Sequence, residues 1–565
     1  MSGTEQDRVR DRLKLAVAPV AGRLDLGGWI SVAAGLLWPG QAALAAWLLA
    51  ALIQGTAERL FAIATAGGFA LLGILRAVLQ ERADRILSEA ADEVLARERA
   101  ALVRREACRS PVASGPSSAE IAALAGEKLA ALSPYLTRYR PAQLRTAVLP
   151  PVLLALTAWH SWIAALILLV AGPLIPVFMA LVGYAAREAS ERQMDEIGSL
   201  NDLLLDRLQA LVDIRLLDAG DTVTADFATR AEALRSKTME VLRIAFLSST
   251  VLELFSALGV AMVAVYVGFS LLGTLAFGAW GEPLAPSAGM FLLLLAPDFF
   301  QPLRDLAAAW HDRAAAEAVA RDLTEIEAQQ PMQILGLDAP AALPRVLASG
   351  DDILRTRGLT VALSPGTHLT FPNLTLRRGE TLALVGASGR GKSTLLAAIA
   401  GLVPVAQGTI WVDGRPLDAT TAGDWRRRIG WVPQTPHFFA ASLRANLRMS
   451  APEASDDAIV TALATANAGD VVARLPRGLL TRLGETGTGV SGGEARRLMV
   501  ARAALARPAL VLADEPTANL DAETAGAVAR GLLRLVEDGA SLLVATHDPD
   551  LAARLDRQVI LEVRQ

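Results

Sequence analysis

The sequence predicts an α-helical membrane domain followed by a soluble α/β domain. Three observations support this fold class. The 565 residues exceed what one hydrophobic core usually holds, so at least two domains are expected. Up to residue 310, apolar runs come close to the roughly 20 residues needed to cross a bilayer. From residue 353, short apolar strands alternate with helices and glycine turns. The predicted domains are 1–330 and 353–565, joined by a Pro- and Ala-rich linker at 331–352.

Six apolar segments are candidate transmembrane helices. The third is the shortest and contains Pro150 and Pro151. The charged segments 80–140 and 185–243 have helical periodicity and are predicted to be long cytoplasmic helices, either solvated or prolonging the spans to contact another domain. The six predicted spans are 26–49, 60–79, 143–158, 162–184, 244–272 and 288–310.

Arginine and lysine are unevenly distributed between the connections that join these spans. The connections 50–58, 159–161 and 273–287 contain neither residue, whereas 80–140 and 185–243 contain many. Because cytoplasmic loops are enriched in Lys and Arg, both termini of this multi-pass chain are predicted to be cytoplasmic. The charged lead-in before the first span is either an amphipathic helix on the membrane surface or a mobile tail.

Composition limits the function in two ways. The formal net charge is −4 and no Lys/Arg block alternates with aromatic residues, which argues against a nucleic-acid partner. The single cysteine, Cys108, rules out a disulfide within the chain. We place Cys108 in the reducing cytoplasm and interpret it as an inert thiol.

A phosphate-binding loop is the first motif that carries chemistry. The letters GASGRGKST follow the apolar strand TLALV and open the helix STLLAAIAGL, which is the setting that a P-loop requires. Glycines let the backbone curl so that its N–H groups face phosphates. Lys392 would reach the β and γ oxygens, and Ser393 would offer a hydroxyl to Mg²⁺. The predicted nucleotide-binding residues of this loop are Gly386, Ala387, Ser388, Gly389, Arg390, Gly391, Lys392, Ser393 and Thr394.

Two later strands end in residues suited to phosphate chemistry. The apolar strand in LVLADEP would deliver Asp514 and Glu515 to the sheet edge beside the P-loop. We predict that Asp514 holds Mg²⁺, directly or through water, and that Glu515 accepts the proton of the attacking water. The strand in SLLVATHD leads to His547, placed to reach the γ-phosphate. Glu515 and His547 are therefore the predicted catalytic residues.

A second anion-binding turn follows well after the P-loop. The stretch SGGEARRLMVARA puts Ser491, Gly492, Gly493 and Glu494 at the start of a helix. Bare backbone N–H groups and the helix dipole favour an anion at such a position. One chain therefore offers two phosphate cradles.

The order of these motifs resembles the nucleotide-binding domain of the ABC transporter family over residues 353–565. The resemblance implies ATP hydrolysis coupled to transport, with ATP and Mg²⁺ bound. It also implies that the turn at 491–494 closes over ATP held by an opposite domain, so the second cradle serves the partner's nucleotide. By matching position, Gln434 senses Mg²⁺ as a ligand and contacts the membrane domain, and Asp521 communicates between the two sites. The family's adenine-stacking aromatic residue has no counterpart in GLTVALSPG.

Six spans ahead of one nucleotide-binding domain is the layout of exporter half-transporters, so two chains are required. The strings YLTRYRPAQL, PLIPVFMALVGYAA and APDFFQPLRDLAAAWHDRAAA resemble the CydD family of bacterial thiol-reductant exporter subunits. That resemblance implies a heterodimer with a CydC-type chain in the inner membrane. It implies export of cysteine or glutathione in support of cytochrome bd assembly. Three alternatives stay open: haem as ligand or cargo, another small amphipathic cargo, and a regulatory protein in which ATP only switches conformation.

The end of the sixth span holds the candidate cargo residues Arg304, Trp310 and His311. On a continuous helix Arg304 and His311 would share one face, two turns apart. One interpretation is that they form part of a cargo path, where a cation would attract carboxylates and an imidazole could ligate haem iron. Alternatively they serve structure, with Arg304 paired to Asp305 or a lipid headgroup and His311 at the cytoplasmic end.

Overall fold

A computed structural model gives the architecture of both domains. It describes residues 3–561 except 114, 176, 179–206, 208–209, 276, 281–282, 330–331, 338–350, 365–366 and 485–488. The chain divides into two compact units, the first formed by Met1–Leu102 with Ser118–Ala328 and the second by Val103–Ser117 with Gln329–Gln565. The segment 103–117, assigned to the membrane domain from the sequence, is thus grouped with the second unit.

The first unit is helical in its described residues. Three stretches are long and apolar enough to cross a membrane, namely Gln6–Ile53, Arg59–Ala107 and Thr250–Leu271. The helices of this part of the chain are α1 (Gly3–Val17), α2 (Ala21–Ile53), α3 (Arg59–Ala107), α4 (Ser118–Gly126), α5 (Leu132–Pro134), α6 (Arg140–His160), α7 (Trp162–Ile175), α8 (Leu211–Leu216), α9 (Gly220–Leu271), α10 (Pro286–Ala308) and α11 (Trp310–Ala328).

The predicted spans lie on these helices, but the helix lengths differ from the predicted ones. Helices α3 and α9 run well beyond the apolar segments, so the adjoining charged sequence is helical at 80–107 and at 220–243. The third and sixth spans lie on α6 and α10, which contain prolines and charged residues and are not among these three stretches. Part of the fourth span, at 176 and 179–184, is outside the described residues. The number of six spans therefore remains a prediction.

Close packing defines the interior of the first unit. Helix α10 packs against α2, α6 and α9. Its Phe300 is fully buried beside Gly259 of α9, where a Cβ would overlap the phenyl ring. The charged lead-in forms α1, a helix that packs on α11 and is therefore not a free tail. Arg12 of α1 holds this arrangement with ion pairs to Glu98 (2.6 Å) and Glu327 (2.9 Å).

The second unit is an α/β domain with two sheets. Its strands are β1 (Asp352–Ser364), β2 (Thr367–Thr370), β3 (Thr375–Arg377), β4 (Thr381–Val385), β5 (Gln407–Val412), β6 (Arg415–Pro416), β7 (Ile429–Val432), β8 (Leu510–Asp514), β9 (Ser541–Thr546) and β10 (Arg557–Ile560). Its helices are α12 (Lys392–Ile399), α13 (Ala422–Arg426), α14 (Leu443–Arg448), α15 (Asp456–Thr465), α16 (Gly469–Arg474), α17 (Gly492–Leu505), α18 (Ala522–Glu537) and α19 (Pro549–Ala552).

The parallel sheet positions the predicted chemistry. Its strand order is β10-β4-β9-β8-β7, whereas β1, β2, β3, β5 and β6 form a separate antiparallel sheet. Strands β8 and β9 are buried along their whole length, as expected for a parallel sheet covered on both faces. Because β4, β9 and β8 are neighbours and parallel, the segments that follow them meet at one sheet edge.

Two short segments pair inside the second unit; we call 108–110 with 332–334 the strand clasp. The Ser110 N–H donates to the Met332 carbonyl (2.8 Å), and the Ile334 N–H donates to the Cys108 carbonyl (2.8 Å). Val112 and Met332 pack against the core under the antiparallel sheet. The described start of the predicted linker is therefore fastened to the α/β domain.

Candidate nucleotide site

The P-loop lies between β4 and α12. Gly389 and Gly391 have φ angles of 78° and 79°, in the left-handed region that favours glycine. A Cβ on Gly391 would stand 2.9 Å from a methyl carbon of Leu369, so this position also needs glycine for space. Helix α12 begins directly after the loop, which gives the loop a helix N-terminus for binding phosphate.

Lys392 is buried at the centre of this loop. Its ammonium donates to the carbonyls of Gly386 (2.7 Å) and Ala387 (3.3 Å), both in the P-loop. It also lies 3.1 Å from Glu515 Oε1, and both side chains of this ion pair are less than a tenth exposed. The structure thus brings the P-loop lysine and the predicted general base together.

Asp514 ends β8 and has the features of a magnesium ligand. Its side chain is buried, and its Oδ1 has no hydrogen-bond partner among the described residues. Burial raises the pKa of Asp514, while a hydrogen bond from the Ser393 hydroxyl opposes that shift. Mg²⁺ is usually held by one or two carboxylates together with substrate phosphates, hydroxyls and water. An unsatisfied carboxylate oxygen beside a P-loop hydroxyl fits such an ion.

Glu515 follows in a strained backbone conformation. Its φ of 46° is uncommon for a residue with a side chain, and such strain is concentrated at functional sites. The His547 Nδ1 lies 2.6 Å from Glu515 Oε2, and the His547 backbone N–H lies 3.3 Å from the same oxygen. The imidazole itself remains largely exposed. Glu515 is therefore held between Lys392 and His547.

Sequence reasoning missed Arg496, which lies on α17 behind the site. One of its nitrogens donates to the Glu515 carbonyl (2.8 Å) and another to the Gln434 carbonyl (3.2 Å). Gln434 follows β7 and its side chain is exposed. The sequence signal that could have identified it is an arginine next to Ala495 on the apolar face of a predicted helix, because a buried charge needs polar partners. Arg496 therefore connects α17 to Gln434 and Glu515, two of the predicted site residues.

The second anion-binding turn is exposed and preorganised. Ser491 caps α17, with its hydroxyl accepting from the Glu494 N–H (3.3 Å) and the Glu494 carboxylate accepting from the Ser491 N–H (2.7 Å). Gly492 is exposed, and a Cβ on Gly493 would overlap the Thr524 methyl. No hydrogen bond joins this turn to the P-loop in the described parts of the chain.

Asp521 caps the helix next to this turn. Its carboxylate accepts from the Thr524 N–H at 2.9 Å, and this hydrogen bond lowers the pKa of Asp521. Since Thr524 also faces Gly493, the Asp521 cap lies beside the second anion-binding turn at 491–494, which we call the signature turn.

The three candidate cargo residues are in different surroundings. Helix α10 ends at Ala308 and α11 begins at Trp310, so Arg304 and His311 are not on one uninterrupted helix. Arg304 donates to the Gln301 side chain. Asp305, the partner suggested above for Arg304, instead forms an ion pair with Arg145. The Arg145 Nη2 and Asp305 Oδ2 atoms are 3.6 Å apart.

Trp310 belongs to an aromatic and cationic group. Its ring lies 6.3 Å from that of Tyr139, edge to face, and the Arg313 guanidinium lies 5.3 Å from its centre. His311 is exposed. The cargo role of Arg304, Trp310 and His311 remains a prediction.

The fold and the site together define a membrane protein that couples ATP hydrolysis to transport. The profile of the ABC transporter family matches residues 369–518, and that of the ABC transporter transmembrane region matches 131–279. The chain belongs to the ABC transporter family. The predicted fold class, a helical membrane domain of the exporter type followed by a P-loop α/β domain, is confirmed.

Three curated relatives are similar to this chain over most of its length. The chain is 38% identical to the glutathione/L-cysteine transport system ATP-binding/permease protein CydD of Escherichia coli (strain K12), over 78% of this chain and 74% of the relative. It is 35% identical to the protein of the same name from Haemophilus influenzae, over 75% and 71%. It is also 35% identical to the transport ATP-binding protein AarD of Providencia stuartii, over 92% and 87%. The predicted resemblance to CydD proteins is thereby confirmed.

Proposed function

We propose that this chain is one subunit of an ATP-driven exporter of cysteine or glutathione in a bacterial inner membrane. Its partner is a CydC-type chain, its termini lie in the cytoplasm, and its transport supports cytochrome bd assembly. ATP-driven transport is supported by one observation, which is that Lys392, Asp514 and Glu515 meet at one sheet edge. The similarity to relatives named for glutathione and L-cysteine transport supports the cargo class.

Each residue of the nucleotide site has a role that its surroundings support. Glu515 is buried, held from two sides, and suited to accept a proton from water. The Lys392 ammonium would stabilise negative charge on the transferred phosphoryl group. Asp514 and Ser393 would hold Mg²⁺, which when bound supplies positive charge to the phosphate oxygens. His547 keeps the Glu515 carboxylate in position from the exposed side.

The signature turn is proposed to act on the partner's nucleotide. Replacing Ser491 by Arg should reduce hydrolysis of ATP bound to the partner's P-loop, because the side chain would block the exposed helix N-terminus and remove the capping hydroxyl. Photolabelling with a trapped nucleotide reports which subunit holds it. Ser455→Arg removes a similar cap from α15 and should leave trapping unchanged. A defect confined to nucleotide on this chain's own P-loop would contradict the shared site.

Transport itself is tested in lipid vesicles that hold the purified transporter with its nucleotide-binding domains outside. The transporter is isolated through a tag on this chain, its co-purifying subunit is identified, and both are reconstituted. ATP-dependent accumulation of labelled cysteine, glutathione and haem is then measured. Among the residues that the structure describes, no observation favours a haem site, so haem enters as a competing cargo. Uptake of haem without either thiol would refute the proposed cargo class.

A further inference from the structure

Four charged side chains lie together at the signature turn, and we call them the turn network. Glu494 and Arg497 belong to α17, whereas Asp470 and Arg474 belong to α16. The Arg474 guanidinium donates to the Glu494 carboxylate and, at 2.9 Å, to Asp470 Oδ2. The Arg497 guanidinium donates to both oxygens of Asp470, at 2.7 and 3.2 Å. Opposite charges therefore join α16 to the first turns of α17.

The Glu494 carboxylate is part of the anion-binding turn itself. Its Oε2 accepts from the Ser491 N–H at 2.7 Å, so a negative charge lies within hydrogen-bond distance of the backbone that is proposed to face phosphate. Its Oε1 is the atom that Arg474 contacts. Because only 16% of the Glu494 side chain is exposed, solvent and salt screen this charge incompletely. The charge of Glu494 therefore acts on any anion that the turn binds.

The local fold does not require a charge at position 494. A capping box needs a side-chain oxygen three residues after the cap, and glutamine supplies one as glutamate does. Glutamate adds a negative charge, which repels a triphosphate that approaches the turn. Asp521 places a second carboxylate beside the turn, next to Thr524 and Gly493. A cation close to Glu494 is therefore needed if this turn is to bind phosphate.

Arg474 supplies that cation, whereas Arg497 does not. In the described part of the chain, Arg497 pairs with Asp470 and donates to the Asn467 carbonyl instead of to Glu494. The turn network holds two guanidinium groups and two carboxylates, so its charges balance. Without the Arg474 charge, one negative charge would remain in excess at the edge of the cradle.

A purely structural role explains Arg474 less well. Its side chain is 62% exposed, and exposed ion pairs contribute little to stability. Helix α17 begins with the Ser491 cap and its capping box, so the turn keeps its shape without Arg474. When a nucleotide covers the turn, water is excluded and the same charges interact more strongly. The contribution of Arg474 should therefore appear in nucleotide binding more than in folding.

We propose that Arg474 neutralises Glu494 and thereby allows the signature turn to bind the triphosphate of ATP held by the partner's P-loop. Arg474 is a positioning residue, because it acts through Glu494. This assignment rests on the proposed action of the signature turn on the partner's nucleotide.

The test measures photolabelled nucleotide trapped on the partner subunit of the whole transporter, over a range of ATP concentrations. Arg474→Gln should raise the ATP concentration for half-maximal trapping about 10-fold, because the uncompensated carboxylate repels the triphosphate. Adding Glu494→Gln to this variant should restore the wild-type value, since glutamine keeps the capping box and removes the repulsion. Glu494→Gln alone should trap at least as well as the wild type.

Two further variants serve as controls. Arg474→Lys keeps the positive charge and should trap as the wild type does. Arg557→Gln breaks another exposed ion pair, in which Arg557 lies 2.9 Å from Glu380, and should also trap normally. Arg557 is on β10 at one edge of the parallel sheet, whereas α17 packs against β7 at the opposite edge. Unchanged ATP binding to this chain's own P-loop shows that each variant is folded.

The outcomes distinguish this role from the proposed function. Normal trapping by Arg474→Gln, or a defect that Glu494→Gln does not correct, would overturn the role of Arg474. If Ser491→Arg still prevents trapping on the partner, the shared site stands and only the role of Arg474 is refuted. If Ser491→Arg also traps normally, the shared site and the role of Arg474 are both refuted.

Discussion

Replacing Glu515 by Gln is expected to lower ATP hydrolysis at this chain's P-loop by about 10²- to 10⁴-fold, the usual contribution of a positioned base. Glutamine keeps the size of the side chain and can still contact Lys392 and His547, but it cannot take a proton from water. ATP binding should persist because the P-loop is unaltered. Single-turnover hydrolysis is measured in a complex whose partner site is disabled, and binding is measured with a fluorescent nucleotide.

Glu537→Gln is the matched control for this experiment. Glu537 is an exposed glutamate at the end of α18, so its loss should leave hydrolysis unchanged. Near-normal hydrolysis by the Glu515 variant would show that another group serves as the base.

Replacing Lys392 by Met is expected to weaken ATP binding at this site about 10- to 100-fold. Methionine is close to lysine in length but has no donor for phosphate, for the Gly386 and Ala387 carbonyls, or for Glu515. Removing one member of a buried ion pair also leaves the other charge without compensation, which costs about 3 to 5 kcal/mol. The melting temperature should therefore fall together with affinity.

The double variant Lys392→Met with Glu515→Gln separates these two effects. Neutralising Glu515 removes the uncompensated charge, so the melting temperature should recover towards the wild-type value while ATP affinity stays low. Thermal unfolding is followed without nucleotide. A double variant no more stable than Lys392→Met would mean that the unpaired Glu515 charge does not cause the loss of stability.

The arrangement of the nucleotide site could be predicted because short motifs mark the ends of neighbouring strands. The P-loop follows β4, Asp514 ends β8 and His547 follows β9, and parallel pairing brings these ends together. The left-handed glycines of the loop follow from the motif as well. The catalytic and nucleotide-binding roles of these residues remain predictions that the variants above will test.

Contacts between distant parts of the chain could not be predicted. Arg496 meets Gln434 and Glu515 only because α17 packs behind the sheet. Arg76 meets Trp38 through the packing of α2 against α3, which hydropathy alone does not specify. The length of α3 and α9 agrees with the long cytoplasmic helices predicted for the charged segments, because charged helical sequence continues the apolar helix without a stop signal.

The strand clasp has a consequence for dissecting the protein and for its synthesis. Part of the ATPase fold, 103–117, is made by the ribosome more than two hundred residues before the rest of that fold at 329–565. A recombinant ATPase fragment beginning at 329 would lack the partner of 332–334 and leave Met332 without Val112. Such a fragment should be less soluble than one supplied with a peptide covering 103–117, because an unpaired strand edge promotes aggregation. Folding of the ATPase domain during translation therefore requires the segment 103–117, which is synthesised soon after the second predicted span.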